Sequence, residues 1–302
     1  MKQSISTILI TSNFTSKSEN ALRLAMQMAV RHNARVIILH NVENYFVTDR
    51  TGRQLLGSDT VADNVRNAEH KLNEIEQSMK QQFPRLCIQT FLKSDSFLQA
   101  VNELVHDEDV DLVVCGTSGK QHLSQTILGS VSYELMNGAN CSVLMVPEQC
   151  RKYSFDKILV PVRVLENLLD KVDLSVTIAK KNQGIINLLG ISSRQDVENI
   201  SKTYQHLRKS LDYRSQEYRS SFYITHDKGS KIASCSKEED SDIIILNYED
   251  EDSWKSLFSE NFFKKIINGT DIPLLFLKNK YLQNNSNKVL LKGIDITLPH
   301  PG

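Results

Sequence analysis

The chain has 302 residues, 40% of them hydrophobic and 24% charged, with 36 lysines and arginines against 36 aspartates and glutamates. That length fits one large domain or two of about 150 residues, the hydrophobic share is that of a globular protein with a core, and the neutral balance argues against broad attraction to nucleic acid or an anionic membrane. No run reaches the ~18 apolar residues of a membrane span, and the opening MKQSISTILITSNF lacks the long apolar region of a cleavable signal, so the expected location is the cytoplasm.

In chain order, Ile8-Leu9-Ile10 predicts a first strand, and Ala21, Leu22, Ala25, Met28 and Ala29 recur at helical spacing behind it. Val36 to Leu39 predicts a second, β-branched strand. The polar stretch Glu43 to Thr60, with Gly52 and Gly57, reads as a mobile flap over a site. Val61, Val65, Ala68, Leu72, Ile75 and Met79 then step by 4, 3, 4, 3 and 4, which marks one face of a long helix. Leu86 to Leu92 predicts a third strand, and Phe97, Ala100, Val101, Leu104 and Val105 another helical face. Leu112 to Cys115 predicts a fourth strand and Val143 to Val146 a fifth. Apolar runs alternating with helices predict a parallel sheet covered on both faces.

The order then repeats. Ile158-Leu159-Val160 matches Ile8-Leu9-Ile10 at an offset of 150, and Ile185 to Leu189 fits the second strand. Val197, Ile200, Tyr204, Leu207 and Leu211 step by 3, 4, 3 and 4, like the first long helix. Asp240-Ser241-Asp242-Ile243-Ile244-Ile245 resembles Asp109-Val110-Asp111-Leu112-Val113-Val114. From Gly116 to Val146, and from Asn247 to Leu277, is 30 positions. A register shared over that span argues for duplication of a whole unit. The expected units are 1–148 and 155–280, joined by the polar stretch Glu148 to Ser154, with a tail at 281–302. In the tail, Val289-Leu290-Leu291 can add a strand or clip onto a neighbour.

Five cysteines, Cys87, Cys115, Cys141, Cys150 and Cys235, are widely spaced with no CxxC pair. No zinc ribbon or thioredoxin-type motif follows from that spacing, and Cys115 and Cys141, in apolar runs, read as buried inert thiols.

The segment that carries chemistry follows the fourth strand directly. Ligands of open parallel sheets bind beyond the carboxyl ends of the strands. Gly116 and Gly119 let backbone approach a bulky anion. Gly129-Ser130 opens a helix whose apolar face includes Val131, Leu135 and Met136, and a helix N-terminus holds phosphate through its free N–H groups. The hydroxyls of Ser130 and Ser132 are further donors. Taken singly, Gly116 reads equally well as a tight strand exit and Ser130 as a helix cap.

Together they form Gly-x2-Gly-x9-Gly-Ser, which resembles the nucleotide signature of the universal stress protein family. Ile8 to Thr15 is similar to that family's opening I-L-V-P-x-D-F-S, Leu39-His40-Asn41-Val42 to its second-strand L-H-V ending, and Ser142 to Pro147 to its closing P-V-L-V-V-P strand. The resemblance is strong over 3–148 and weak over 155–278. It implies the adenine nucleotide alpha hydrolase-like fold, an α/β architecture with two repeated units, each a five-stranded parallel sheet of order 3-2-1-4-5 flanked by helices. It implies an adenine nucleotide, usually ATP, with or without magnesium, in the first unit. It places Asn13 where the family has an aspartate, Asn41 where backbone meets adenine, and Gly116, Gly119, Gly129, Ser130, Val131 and Ser132 along phosphate and ribose. It also implies that the two closing strands pair inside one chain as a pseudo-dimer, with a homodimer and a protein partner as further associations.

Departures from the pattern matter. Asn13 turns a carboxylate acceptor into an amide, and Thr11 replaces a proline. His122 lies in the spacer, where a solvated loop histidine is the plainer reading. In the second unit Asn247, Asp250, Glu260 and Asn261 stand where the first has Gly116, Gly119, Gly129 and Ser130, and Arg163 stands at the place of Asn13. Added carboxylates repel phosphate, so that unit is expected to be structural. Three readings follow: a nucleotide-responsive regulatory module, a nucleotide-free scaffold, and a slow ATP hydrolase. The sequence has no GxxxxGK[ST] loop and no GxSxG elbow, so no catalytic set is assigned.

Overall fold

The computed structural model describes residues 4–42, 46–49, 52–55, 58–94, 96–118, 130–163, 168–247 and 262–278. The first half runs β1 (Thr7–Thr11), α1 (Ser16–His32), β2 (Arg35–Asn41), β3 (Phe46–Asp49), β4 (Gly52–Leu55), α2 (Ser58–Gln82), β5 (Ile88–Lys93), α3 (Phe97–Asp107), β6 (Leu112–Thr117), α4 (Ser130–Gly138) and β7 (Ser142–Pro147). The second half runs β8 (Lys157–Val162), α5 (Leu168–Asn182), β9 (Ile185–Ser192), α6 (Val197–Tyr213), β10 (Tyr218–Ile224), α7 (Lys228–Glu238), β11 (Ile243–Asn247), α8 (Phe262–Gly269) and β12 (Leu274–Leu277).

Ten strands form one sheet in the order β10-β9-β8-β11-β12-β7-β6-β1-β2-β5. Either half, read by itself, has the strand order 3-2-1-4-5. All neighbours are parallel except β12 and β7, which pair antiparallel with Leu274 opposite Met145, Leu275 opposite Leu144 and Phe276 opposite Val143. Each closing strand thus covers the edge that the other would expose, as the resemblance implies. The ladder is continuous because these runs are apolar on both faces. Val143, Leu144, Leu275 and Phe276 are fully buried, each contributing about 1.5–3 kcal/mol through removal from water.

The two faces carry two cores that both cross this seam. One joins Leu24, Met28 and Leu72 of α1 and α2 with Ile178 and Leu207 of α5 and α6. The other joins Val101 and Leu135 of α3 and α4 with Ile232 and Phe263 of α7 and α8.

The halves also share small devices. Asp111 Oδ2 accepts from Ser6 N at 2.8 Å and Thr7 N at 3.1 Å, and Asp242 Oδ2 accepts from Asp156 N and Lys157 N, both at 2.8 Å. Each pins the start of a first strand to the start of a fourth. Left-handed backbone recurs at the matching turns, with φ 55° at Asn33 and Gln183, and 46° and 50° at Asp109 and Asp240.

Two local features go beyond the sequence reading. The stretch expected as a flap contains the β3–β4 hairpin, which its polar residues do not advertise. The linker is polar yet anchored: Tyr153 Oη donates to Asn20 Oδ1 at 2.7 Å, and Asn20 Nδ2 donates to the carbonyls of Pro147 at 2.9 Å and Cys150 at 3.0 Å. Residues 281–302 lie outside the described residues. Cys115 and Cys141 are buried, and burial pushes the Cys115 thiol up to about 12, the inert state expected. Among the described residues no helix is long and apolar enough to cross a membrane.

Candidate functional site

Strand order reverses between β1 and β6, where the crossovers leave to opposite sides and a crevice opens beyond the strand ends. A cleft of about 740 Å³ lies there, within the usual 300–1,000 Å³ of ligand sites. Its floor is the ends of β1, β2 and β6, at Thr11, His40, Asn41 and Cys115 to Thr117.

One wall is aromatic. Phe14 has φ 60°, a left-handed conformation that a bulky residue holds only when its surroundings impose it. That twist lays its ring 4.2 Å from the His40 ring at a 30° tilt. His40 Nδ1 lies 2.7 Å from the carbonyl oxygen of Ser12, so the proton on Nδ1 donates to it. Burial, with Lys71 adding to it, holds His40 below its ordinary value, and the ring is neutral at pH 7.

The charge is cationic. Lys71 Nζ stands 5.4 Å from the Phe14 ring centroid, and Lys17 Nζ donates to Ser118 Oγ. Both lysines line the cleft, and no carboxylate does among the described residues. Asn64 and Asn67 join Lys71 on one polar face of α2. Among the described residues no group of three or more histidines, cysteines or acids stands together to hold a metal.

The structure brings together Asn13, Asn41, Gly116, Ser130, Val131 and Ser132, all lining this cleft. Gly119, Gly129 and His122 lie outside the described residues. Asn13 is exposed, and its Oδ1 accepts from Thr15 Oγ1 at 2.6 Å and Thr15 N at 3.4 Å, an Asx turn that shapes the entry to α1. Ser130 is exposed, whereas Ser132 is buried and hydrogen-bonds the Cys115 thiol. Gly116 has a reason of its own to lack a side chain: a Cβ there would lie 2.3 Å from the carbonyl oxygen of Lys17.

Sequence reasoning missed Phe14, Lys17, Asn64, Asn67 and Lys71. The α2 residues carry a signal in hindsight. Positions 64, 67 and 71 run one ahead of the apolar stripe at 65, 68 and 72, so they share the rim of the buried face. Lys17 carries none, because a lysine in a first helical turn is common on any surface.

In the second half the matching place is built differently. The Arg163 guanidinium lies 3.8 Å from the Phe262 ring centroid and 5.8 Å from that of Phe263, and burial lowers its pKa to about 10. Lys171 is buried and donates to the carbonyl oxygen of Pro161 at 2.6 Å. Asn247 ends β11 in a buried position. Asp250, Glu260 and Asn261 lie outside the described residues.

A doubly wound sheet with a cationic, aromatic-walled crevice at its switch point is the architecture of an α/β protein with a ligand-sized cleft beyond its strand ends. Residues 4–147 match the universal stress protein family model. A universal stress protein from Archaeoglobus fulgidus DSM 4304 superposes with a TM-score of 0.72 at 12% identity, covering 90% of this chain and 98% of its own. A functionally unknown protein from Pseudomonas aeruginosa PAO1 gives 0.64 at 15% identity, covering 95% and 98%. Both likenesses concern the fold, the adenine nucleotide alpha hydrolase-like one, over nearly the whole chain. A universal stress protein solved in complex with cAMP covers 49% of this chain and 100% of its own at 20% identity, with a TM-score of 0.34, too low to bear on the ligand here. No curated protein matches the sequence.

Proposed function

We propose that this chain is a regulatory module of the universal stress protein type that binds an adenine nucleotide, ATP first among them, in the first-half cleft. The carrying observation is the pairing of a neutral Phe14–His40 ring wall with two lysines and no described carboxylate. A base stacks on rings, and ammonium groups hold phosphate as point charges. In this reading Lys17 and Ser118 hold the phosphates together with Ser130 at the start of α4. Asn41 and His40 bound the base, Val131 and Ser132 floor the ribose side, and Gly119 and Gly129 complete the phosphate segment. Asn13 shapes the rim through its turn, which accommodates an amide where a carboxylate is usual. The fit rests on monovalent cations of the chain; magnesium, if it enters, comes with the phosphates.

The module acts by binding. A ligand that prefers one arrangement of the loops shifts their population and so the surface shown to a protein partner. The second half, with Arg163 packed on Phe262 where the first half leaves an exposed asparagine, is structural. The two halves form a tandem repeat closed as an intrachain pseudo-dimer, and the cytoplasm is where ATP would meet it. Thermal denaturation with and without ATP tests the reading. The melting temperature rises with ATP in the native chain and does not in Gly129→Glu, since ligands of the folded state stabilise it. Absence of any rise at millimolar ATP leaves the nucleotide-free scaffold as the better account.

A further inference from the structure

Among the described residues the ten-stranded sheet ends at β5 and β10. Sheet edges present unpaired N–H and C=O groups, and proteins blunt them with proline, lysine, bulges or short strands. β10 has no proline, lysine or bulge, and its one charge is Arg219. It runs seven residues, Tyr-Arg-Ser-Ser-Phe-Tyr-Ile, in unbroken register with β9.

The direction of its outer groups follows from the ladder. Ile186 N donates to the carbonyl oxygen of Glu217, and Thr225 N donates to that of Ser192. Backbone groups alternate along a strand, so the odd-numbered residues of β10 face β9, and Tyr218, Ser220, Phe222 and Ile224 turn theirs outward. The side chains of that outward row share the face toward α6, where Phe222 meets Tyr204 at 5.3 Å between centroids. Exposed apolar surface gathers here too. Of the six large apolar side chains exposed among the described residues, Tyr223 and Ile224 lie on β10, at 37% and 55%, and Tyr213, at 91%, ends the helix that leads into it.

We propose that β10 is an interaction surface for a second copy of this chain, which adds its own β10 antiparallel about a two-fold axis at Ser221. This register is self-complementary. It sets Ser220 opposite the second copy's Phe222, and Tyr218 opposite the second copy's Ile224, and each of these outward-facing pairs exchanges two backbone hydrogen bonds. Tyr218 with Ile224 is an aromatic and β-branched cross-strand pair, a stabilising combination. On the opposite face Arg219, the strand's one charge, stands across from the second copy's Tyr223 as a cation over a ring. Lys231 already sits 4.0 Å from that ring centroid, and Glu238, 4.0 Å from Lys231, supplies the counter-charge. The two-fold also carries Ile224 toward the start of the other copy's strand, the end at which Tyr213 stands exposed. The pairing is independent of the nucleotide site, which occupies the other half of the sheet.

Sedimentation of the full chain tests it, with Ser220→Pro and Ile224→Lys as variants. The Ser220 N–H points away from β9, so proline there blocks the second copy and leaves the chain's own ladder intact. The native chain is expected to sediment as a dimer. Ser220→Pro is expected to raise the dissociation constant at least tenfold with an unchanged circular dichroism spectrum; if that variant misfolds, the same shift in Ile224→Lys decides. A native chain that stays monomeric at ~100 μM, above the micromolar Kd of weak specific interfaces, overturns the proposal. So does a dimer that survives the folded variants. A dimer lost instead in Thr90→Pro, at the β5 edge, or on removal of residues 281–302, assigns the contact elsewhere and overturns it as well.

Discussion

A Cβ added to Gly116 would lie 2.3 Å from the carbonyl oxygen of Lys17 and 3.0 Å from the amide nitrogen of Ser18. Gly116, the first glycine of the Gly-x2-Gly-x9-Gly-Ser segment, is therefore required first by the start of α1, which crosses β6 at that point. Backbone cannot retreat as a flexible side chain does, so Gly116→Ala forces α1 outward. The expected cost is about 1–3 kcal/mol of stability, the range of overpacked cores, read as a lower urea midpoint in the absence of any ligand. An unchanged midpoint would show that α1 has room to shift, and would return Gly116 to a ligand role alone.

Lys171 makes the second half sensitive to alkali in an unusual sense. Burial, with Arg163 adding to it, lowers its pKa from 10.5 to about 7. The unfolded chain keeps that proton up to about pH 10.4, whereas the folded chain releases it near 7. The unfolded state binds more protons across that window, so stability rises with pH from about 7 toward 10. Lys171→Met is expected to remove this slope and to stabilise the protein below pH 7, on the order of 1–4 kcal/mol as for other buried charges replaced by apolar groups. Urea unfolding at pH 6 and pH 9 reads both effects. A less stable Lys171→Met at pH 6 would contradict them.

His32 gives a slope of the same sign on the acid side. It is buried at the end of α1, and burial, aided by Lys181 and Arg31, lowers its pKa from 6.5 to about 4. Below pH 6.5 the unfolded chain takes up a proton that the folded chain refuses until about pH 4. The neutral ring's contribution is full above 6.5 and is lost as pH falls through that window. His32→Gln is expected to flatten the decline in stability between pH 6.5 and 4.5. An equally steep decline in the variant would place the sensitivity in other groups.

Much of the fold is legible because parallel strands, buried on both faces, are written as apolar runs such as Val36 to Leu39 and Ile243 to Leu246. The likeness of the two halves is legible because strand spacing is shared even where side chains change, as at Asp111 and Asp242, each of which pins the start of a first strand to the start of a fourth. The β3–β4 hairpin is not legible, since Phe46 to Leu55 has neither apolar alternation nor a two-residue turn signal. The aromatic wall is hidden for a different reason. It depends on the left-handed backbone of Phe14, and no local pattern foretells that conformation in a phenylalanine. Lys17 and Lys71 lie 54 positions apart in sequence and become one electrostatic feature only when α1 and α2 pack on the same face. The arginine at 163 was legible as a departure, but its stacking on Phe262 was not.

The most direct measurement is a calorimetric titration of ATP and of adenosine into the native chain and into Lys17→Glu. A charge-assisted hydrogen bond is worth about 1.5–3 kcal/mol, so the account predicts ATP affinity at least tenfold weaker in the variant. Adenosine, which has no phosphate to meet Lys17, should bind both proteins alike. Failure of the native chain to bind ATP, or an equal loss for both ligands, would contradict the claim that this cleft holds a nucleotide by its phosphates.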